Sequence, residues 1–323
     1  NIMQLNRDDL LKAYTGMCLI RNFEDRVHDE FATGALPGFV HLYAGEEASA
    51  IGMCMNLNDQ DTIASTHRGH GHCIAKGCDV NAMMKELFGK KEGMCGGKGG
   101  SMHIADLTKG MLGANGIVGG GAPLVCGAAL SAKTKKTGNV SVCFLGDGAS
   151  NQGTTAESIN MASILKLPAI FVVEDNGFAE ATSSSYSVGG DIVKRGQAYG
   201  LHSEQVDGTD FFAVYQASQE AVERARKGEG PTLLHIKINR IYGHYEGDAL
   251  TYRLPEETEE IKKNRDPIKI FKKKVLESGL LESNQLDKIE EDTKNEIDQA
   301  VKDSKAADFP TEKDLLTDVY VKY

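Results

Sequence analysis

Residues 140–148, Val-Ser-Val-Cys-Phe-Leu-Gly-Asp-Gly, combine a short apolar run with a carboxylate held between two glycines. A helix is predicted after this segment, at about 152–165, and a second apolar run over 169–173 ends in Glu-Asp-Asn-Gly. A further helix at 210–228 leads to a third run at 232–238. Short β-rich runs that alternate with helices are typical of parallel sheets covered by helices. The sequence therefore predicts an α/β fold with a doubly wound, mostly parallel sheet.

Helical extensions are predicted at both ends of this core. Asn6 can cap an amphipathic helix over 8–31, and a strongly charged segment with apolar residues at helical spacing begins at Pro255. We therefore expect a main domain over 1–254 and a charged helical extension over 255–323 that packs on it. The glycine-rich stretch 89–121 cannot be regular secondary structure over its length, and a loop that long is usually functional.

The composition excludes several classes of protein. The 323-residue chain carries 36 Lys and Arg against 46 Asp and Glu, for a formal net charge of −10. Nucleic-acid binders and anionic-membrane binders need a basic face, so neither class is expected. No apolar run approaches the roughly 18 residues of a membrane span, and no signal-peptide pattern is present, so a cytoplasmic location is expected. The seven scattered Cys favour reduced, mostly buried thiols over disulfides or a zinc site.

Polar side chains follow the first two apolar runs. Between Gly148 and Asp175 lie 26 residues, the length of one helix, one strand and their connections. Because ligands bind beyond the carboxyl ends of parallel strands, Asp147 and Asn176 are expected on neighbouring strand tips. Their oxygens suit magnesium or calcium beside a phosphate, which the start of the following helix would also stabilise. The alternative interpretation is that both side chains only cap turns.

The spacing of Gly-Asp-Gly, 26 residues and Asp-Asn resembles the signature of thiamine-diphosphate enzymes, with Asp175 in place of the first Asn. Nearly the whole chain resembles the alpha subunit of the dehydrogenase component of 2-oxo acid and acetoin dehydrogenase complexes. The segments that carry this resemblance are Phe39–Glu47, Thr66–Gly71, Gly97–His103, Gly113–Gly119 and Ile241–Asp248. It implies the thiamine-diphosphate-binding fold, with thiamine diphosphate and Mg²⁺ as cofactors.

The resemblance also implies roles for individual residues. Asp147, Asn176 and the backbone carbonyl of Phe178 would hold Mg²⁺. His41 and His244 would be catalytic and move protons near neutral pH, a task suited to imidazole. Gly116 and Val118 would contact the aminopyrimidine ring of the cofactor. The residues that would contact its diphosphate are His67, Arg68, Gly148, Ala149, Arg240 and His244. Arg240 could instead order a loop, and His67 stands where relatives often have Tyr. The roles of His72 and His103 are left open.

The resemblance implies partner proteins, because one catalytic residue of the family is not identified in this chain. In this family, the Glu that activates the aminopyrimidine ring lies on a separate beta subunit. Glu46 and Glu47 are interpreted here as residues of a helix start, where carboxylates are favoured. The resemblance therefore implies an α2β2 heterotetramer that is inactive without its beta subunit, and a lipoyl acyltransferase that accepts the product.

The segment around His244 bears on the small-molecule substrate. Gly243-His-Tyr-Glu-Gly-Asp248 differs from the Gly-His-Ser of relatives that act on pyruvate, and it most resembles acetoin dehydrogenases. The implied reaction cleaves acetoin to acetaldehyde and a two-carbon unit that is oxidised onto the lipoyl group. Pyruvate decarboxylation is the nearest alternative. A non-catalytic assembly subunit is disfavoured because Asp147, Asn176 and His244 are all present. An NAD-binding dehydrogenase is disfavoured because the glycines of 113–121 do not open a βαβ unit.

Overall fold

Six parallel strands form the central sheet of the computed structural model, which describes residues 5–321. Eight strands are described in all: β1 (Thr62–Ala64), β2 (Met111–Gly113), β3 (Ser141–Gly146), β4 (Ala169–Asp175), β5 (Phe178–Ala179), β6 (Thr182–Ser183), β7 (His202–Asp207) and β8 (Thr232–Lys237). The sheet order is β2-β1-β3-β4-β8-β7, and β5 and β6 pair separately as an antiparallel ribbon. The predicted α/β fold with a mostly parallel sheet is confirmed.

Helices cover both faces of the sheet. They are α1 (Arg7–Ala32), α2 (Glu47–Cys54), α3 (His70–Ala75), α4 (Val80–Leu87), α5 (Gly121–Lys135), α6 (Gly153–Ile164), α7 (Ser184–Ser187), α8 (Ile192–Ala198), α9 (Phe211–Arg226), α10 (Pro255–Asn264), α11 (Pro267–Glu277) and α12 (Ser283–Ala306). The central strand β4 is buried along its whole length. Its Ile170 and Val172 belong to the apolar core with α1, α2 and α9, whereas Phe171 and Val173 belong to the core with α5 and α6. This alternation places one hydrophobic core on each side of the sheet.

The first and the last long helices, α1 and α12, pack against each other. Asn6 and Asp9 form a capping box that begins α1. The last long helix, α12, packs along α1, and the ion pair between Arg26 and Asp298 (3.0 Å) joins them. The charged helices therefore lie on the main body of the protein. The domain boundary at residues 254 and 255 stays a prediction.

The elements that were not predicted from the sequence include β2, β7 and α8, and the short β5, β6 and α7. Strand β2 has only three residues and lies inside the glycine-rich stretch, where no periodicity can develop. Strand β7 lies at the edge of the sheet, and its polar sequence alternates between exposed and buried residues. The seven residues of α8 are too few for a clear helical pattern. The predicted helices and strands lie within a few residues of their expected positions.

The cysteines are free thiols, and six of the seven are buried, as their spacing predicts. Among the helices of the described residues, none combines the length and apolar character that a membrane span requires.

A buried carboxylate organises the glycine-rich stretch. Glu86, at the end of α4, is fully buried. Its two oxygens accept hydrogen bonds of 2.8–3.0 Å from the backbone N–H groups of Cys95, Gly97, Gly99 and Gly100. A side chain at Gly93 would also collide with Glu86, since an added Cβ would lie 2.4 Å from its carboxylate. The loop is therefore folded around one side chain instead of around a regular element.

Replacement of Glu86 tests this organisation. Glu86→Ala leaves four backbone donors without a partner, so we expect it to lower the free energy of unfolding by about 3–5 kcal/mol. Glu92→Ala is the matched control, because the Glu92 side chain lies in the same loop and is 61% exposed. That control should change stability by less than about 0.5 kcal/mol. Chemical denaturation of both purified variants measures the difference, and equal effects would contradict the role of Glu86.

Candidate active site

One cavity of about 400 Å³ lies at the carboxyl ends of the strands. Its walls come from the segments that follow β1, β3, β4 and β8, and from the glycine-rich stretch after β2. All the site residues predicted from the sequence line it: His41, His67, Arg68, Gly116, Val118, Asp147, Gly148, Ala149, Asn176, Phe178, Arg240 and His244. The structure thus brings together residues that are separated by up to two hundred positions in the chain.

The tips of β3 and β4 carry the predicted metal ligands. Asp147 is buried, and its Oδ2 atom has no hydrogen-bond partner among the described residues. Burial, followed by the nearby charge of Asp175, raises the pKa of the Asp147 carboxyl to about 6. A buried carboxylate oxygen without a partner is costly, and a bound cation would remove that cost. The donor set of this edge therefore fits a magnesium ion.

At the tip of β3, position 148 has no room for a side chain. A Cβ atom at Gly148 would lie 2.7 Å from the Cβ of Ala179, in β5. The short ribbon of β5 and β6 therefore packs directly against the Gly-Asp-Gly turn.

The side chain of Asp175 points away from a metal-binding role. It accepts hydrogen bonds from His235 Nε2 (2.9 Å) and Lys237 Nζ (2.6 Å), both on the neighbouring strand β8. Burial opposes its ionisation, but these hydrogen bonds hold the pKa of Asp175 below its ordinary value. The negative charge of Asp175, the residue that replaces the Asn of the signature, is therefore balanced by Lys237 of β8. Asn176, the next residue, lines the cavity.

Two arginines place buried positive charge in the cavity. Arg240 is fully buried, and its Nη2 donates to the hydroxyl of Tyr252 (2.6 Å). Arg68 is 5% exposed and donates to the carbonyls of Leu42 (2.7 Å) and His244 (2.9 Å). Within residues 5–321, neither guanidinium lies within 4.0 Å of a carboxylate oxygen. Two buried cations without an ion pair favour the binding of an anion such as a diphosphate.

Three histidines stand beside the arginines. The ring of His41 lies 4.6 Å from that of His67 and 5.1 Å from that of His244, between centroids. Burial and then the nearby cationic groups lower the pKa of His67 and His244 to about 3. Burial and then His67 lower the pKa of His41 to about 2. All three imidazoles are therefore neutral near pH 7, and the negative charge of a bound anion would raise their pKa again.

The histidine cluster could also bind a metal, since one nitrogen of each ring lies within 4.8 Å of the others. However, Arg68 Nη2 and Arg240 Nη1 lie 3.4 and 3.2 Å from His244 Nδ1, so their charges oppose a further cation there. The Nδ1 atom of His41 is buried and has no partner among the described residues. It is therefore available to a bound molecule.

A turn of the glycine-rich stretch forms the opposite wall. The side chain of Asn115 accepts a hydrogen bond from the backbone N–H of Ile117 (2.8 Å) and holds the turn that contains Gly116. Ile117 and Val118 are 73% and 49% exposed. His103 lies behind this turn, since a Cβ added to Gly116 would be 3.6 Å from its ring. The turn therefore lines the cavity and also exposes two large apolar side chains.

Glu46 stands at the start of α2, as expected, but its side chain contacts the site instead of the helix. Glu46 is buried in the cavity wall, makes no capping hydrogen bond to α2, and accepts one from Asn176 Nδ2 (3.2 Å). Burial raises the pKa of its carboxyl. Glu47 is structural, as expected, because it forms a buried ion pair with Arg21 (2.6 Å). Tertiary contacts distinguish these two neighbouring acids, since Glu46 contacts Asn176, 130 positions away, and Glu47 contacts Arg21.

His72 and Glu174 lie behind the cavity wall as a buried pair. His72 Nε2 lies 3.1 Å from the Glu174 carboxylate, and its Nδ1 lies 2.6 Å from Ser65 Oγ. The hydroxyl of Tyr43 donates to the same carboxylate. Glu174 lines the cavity and was not predicted from the sequence, because an acid at the end of a buried strand gives no pattern of its own. His72 therefore holds Glu174, a residue of the cavity wall, without lining the cavity itself.

Comparison with known proteins assigns the family. A family described as the dehydrogenase E1 component matches residues 15–313. The alpha subunit of acetoin:2,6-dichlorophenolindophenol oxidoreductase from Cupriavidus necator is 55% identical over 322 residues, which cover 99% of this chain and 97% of that protein. The protein of that name from Bacillus subtilis is also 55% identical, over 99% of this chain and 96% of its own. The pyruvate dehydrogenase E1 component alpha subunit of Rhizobium meliloti is 37% identical, over 98% and 92%. The chain therefore belongs to the dehydrogenase E1 component family.

Proposed function

We propose that this chain is the alpha subunit of a thiamine-diphosphate-dependent enzyme that cleaves acetoin. The products are acetaldehyde and a two-carbon unit that is oxidised and passed to a lipoyl acyltransferase. The observation that carries the proposal is the cavity in which Asp147 lies with two buried arginines; among the described residues, one Asp147 oxygen has no hydrogen-bond partner and neither arginine forms an ion pair. Relatives named for acetoin are 55% identical to this chain, and the relative named for pyruvate is 37% identical. This difference favours acetoin.

The residues of the cavity fit a diphosphate and its magnesium ion. Asp147, Asn176 and the carbonyl of Phe178 would hold the metal, and Glu46 would fix the Asn176 amide through the hydrogen bond to its Nδ2. Arg68 and Arg240 would neutralise the diphosphate. When bound, thiamine diphosphate supplies a nucleophilic carbon that attacks the ketone.

The histidines would move the protons. His41 Nδ1 has no partner among the described residues, and the neutral ring can accept the proton of the acetoin hydroxyl when the carbon–carbon bond breaks. His244 would stabilise the charge that develops on the ketone oxygen, since its ring is held by the adjacent Arg240 and Arg68. Proton transfer of this kind is worth about 10²–10⁴-fold in rate.

Aromatic rings at the loop of His244 support a neutral substrate. Tyr245 lies 6.0 Å from Phe39 and 6.5 Å from His41, between ring centroids. Both cationic side chains of the cavity are assigned to the diphosphate, which leaves none to pair with a substrate carboxylate. Acetoin has no carboxylate, whereas pyruvate does.

The substrate assignment predicts a preference that can be measured. The complex of this chain with its partner subunit, supplied with thiamine diphosphate, Mg²⁺ and 2,6-dichlorophenolindophenol, should release acetaldehyde from acetoin. We expect kcat/KM for acetoin to exceed that for pyruvate by about 10²-fold, a difference that substrate contacts can supply. Release of carbon dioxide from pyruvate at the higher efficiency would instead assign the chain to pyruvate decarboxylation.

The metal assignment predicts the effect of removing Asp147. Asp147→Ala should abolish Mg²⁺-dependent binding of thiamine diphosphate while the fold is kept, because one carboxylate ligand is lost. Asp59→Ala is the control, since the Asp59 side chain is 61% exposed and pairs only with Lys109. Calorimetry of both variants in complex with the partner subunit measures the affinity. Unchanged affinity in Asp147→Ala would exclude Asp147 as a ligand.

A beta subunit is proposed for two reasons. First, the three buried acids of the cavity already have assigned contacts, because Glu46 contacts Asn176, Glu174 contacts His72, and Asp147 is assigned to the metal. Large apolar side chains are also exposed at the cavity wall and on α5 and α6, namely Ile117, Val118, Leu124, Met161 and Ile164. Such a surface is typical of a subunit interface. An α2β2 heterotetramer would bury it.

The partnership predicts that the pure chain does not turn over acetoin, whatever cofactor is added. Addition of the beta subunit should restore turnover, because the activating Glu is then supplied. Turnover by the rigorously purified single chain would show instead that its own site is complete. The assay of acetaldehyde release before and after mixing measures this directly.

A further inference from the structure

Helix α1 contacts the loop that carries His244 at two points. The hydroxyl of Tyr242 donates to Asp25 Oδ1 (2.8 Å), and His28 Nδ1 lies 2.8 Å from Glu246 Oε2. Asp25 and His28 are three residues apart, so both side chains project from the same face of the helix. Tyr242 and Glu246 are placed two residues before and two residues after His244. The helix therefore holds the loop on both sides of His244.

The two contacts form one unit. The ring of His28 stacks on that of Tyr242, with centroids 4.6 Å apart and planes at 28°. The Glu246 side chain is only 8% exposed, whereas that of His28 is 43% exposed. Burial makes the carboxylate dependent on His28, because an ionised group taken out of water needs a partner.

The same loop residue is also joined to the His41 segment. The backbone N–H of Glu246 donates to the carbonyl of Val40 (2.9 Å), the residue before His41. A shift of Glu246 would thus move both of the histidines proposed to be catalytic. The distance between the two rings, 5.1 Å, depends on this contact.

Arg68 and Arg240 contact His244 itself, at its carbonyl (2.9 Å) and its ring, but these contacts do not reach Tyr242 or Glu246 on either side of it. Asp248 accepts from the backbone N–H of His244 (2.7 Å), but Asp248 belongs to the same loop and cannot anchor it. Glycines flank the segment, and Gly247 has a φ of +102°. A loop with glycines at both ends moves readily unless side chains hold it.

We infer that Asp25 and His28 are positioning residues that hold His244 in place through Tyr242 and Glu246. We name these four residues the α1 clamp. The inference rests on the proposed function, because it assumes that His244 acts on the substrate. The α1 clamp holds the chain on both sides of His244, whereas Arg68 and Arg240 contact its ring and are the residues proposed to bind the diphosphate.

Two substitutions of His28 test the α1 clamp in the complete complex. His28→Ala should lower kcat for acetoin by about 10- to 100-fold, because a displacement of about 1 Å has costs of this size. KM and the affinity for thiamine diphosphate should change less than about twofold, because the Arg68 and Asp147 contacts are kept. His28→Asn should recover most of the activity, since the Asn amide can donate from the position of Nδ1.

Protease sensitivity tests the clamp without any assay of activity. In His28→Ala, the 242–253 loop should be cut by chymotrypsin several times faster than in the wild type. His202→Ala is the matched control, because His202 also pairs with a Glu (3.4 Å) but on the edge strand β7, at 46% exposure. This control should match the wild type in both measurements.

The outcomes separate the two proposals. If the wild-type complex does not cleave acetoin, the proposed function fails, and the protease comparison still decides the α1 clamp. If His28→Ala retains both wild-type kcat and wild-type protease resistance, the clamp is excluded. If kcat falls only together with cofactor affinity and thermal stability, and His28→Asn does not recover it, His28 is merely structural and the inference is overturned.

Discussion

The site depends on positive charge that is buried without an ion pair. Arg240 is inaccessible to solvent and Arg68 nearly so, and both are held by carbonyl and hydroxyl oxygens. Burial lowers the pKa of Arg68 to about 10, which reflects the cost of keeping this cation in the protein. Such a cost amounts to several kcal/mol per ion and is offset only by good partners. These two charges favour an anion in the cavity, and they add to the burial that already keeps the neighbouring histidines neutral.

The walls of the cavity are fixed by buried pairs of acids and histidines. Glu24 lies 2.8 Å from His70 Nδ1, and His70 Nε2 lies 2.8 Å from Ser101 in the glycine-rich stretch. Glu24 also accepts from the backbone N–H of Tyr43 (2.9 Å), whose hydroxyl donates to Glu174 at the tip of β4. This network connects α1, the glycine-rich stretch and the sheet. A long loop can line a site accurately because its polar groups are satisfied inside the protein.

The sequence predicted those parts of the site whose geometry is local. Asp147 and Asn176 follow adjacent strands, so the length of one helix and one strand is enough to bring them to the same edge. The contact of Glu46 with the site was not predicted because its partner Asn176 is 130 positions away, and nothing near Glu46 indicates that contact. The contact of His28 with Glu246 spans 218 positions, and His28 lies outside every motif. Edge strand β7 was missed because its polar, half-exposed sequence lacks the apolar run of a central strand.

The central claim is that the tips of β3 and β4 hold a divalent metal beside a diphosphate anchored by Arg68 and Arg240. A crystal structure of the complex grown with thiamine diphosphate and Mn²⁺ tests it most directly, because Mn²⁺ scatters anomalously and takes the same oxygen ligands as Mg²⁺. The account predicts one anomalous peak about 2.1–2.2 Å from the Asp147 carboxylate and the Asn176 amide oxygen, with phosphate density beside both guanidinium groups. A peak at His41, His67 and His244 instead, or a diphosphate that does not touch either arginine, would contradict it.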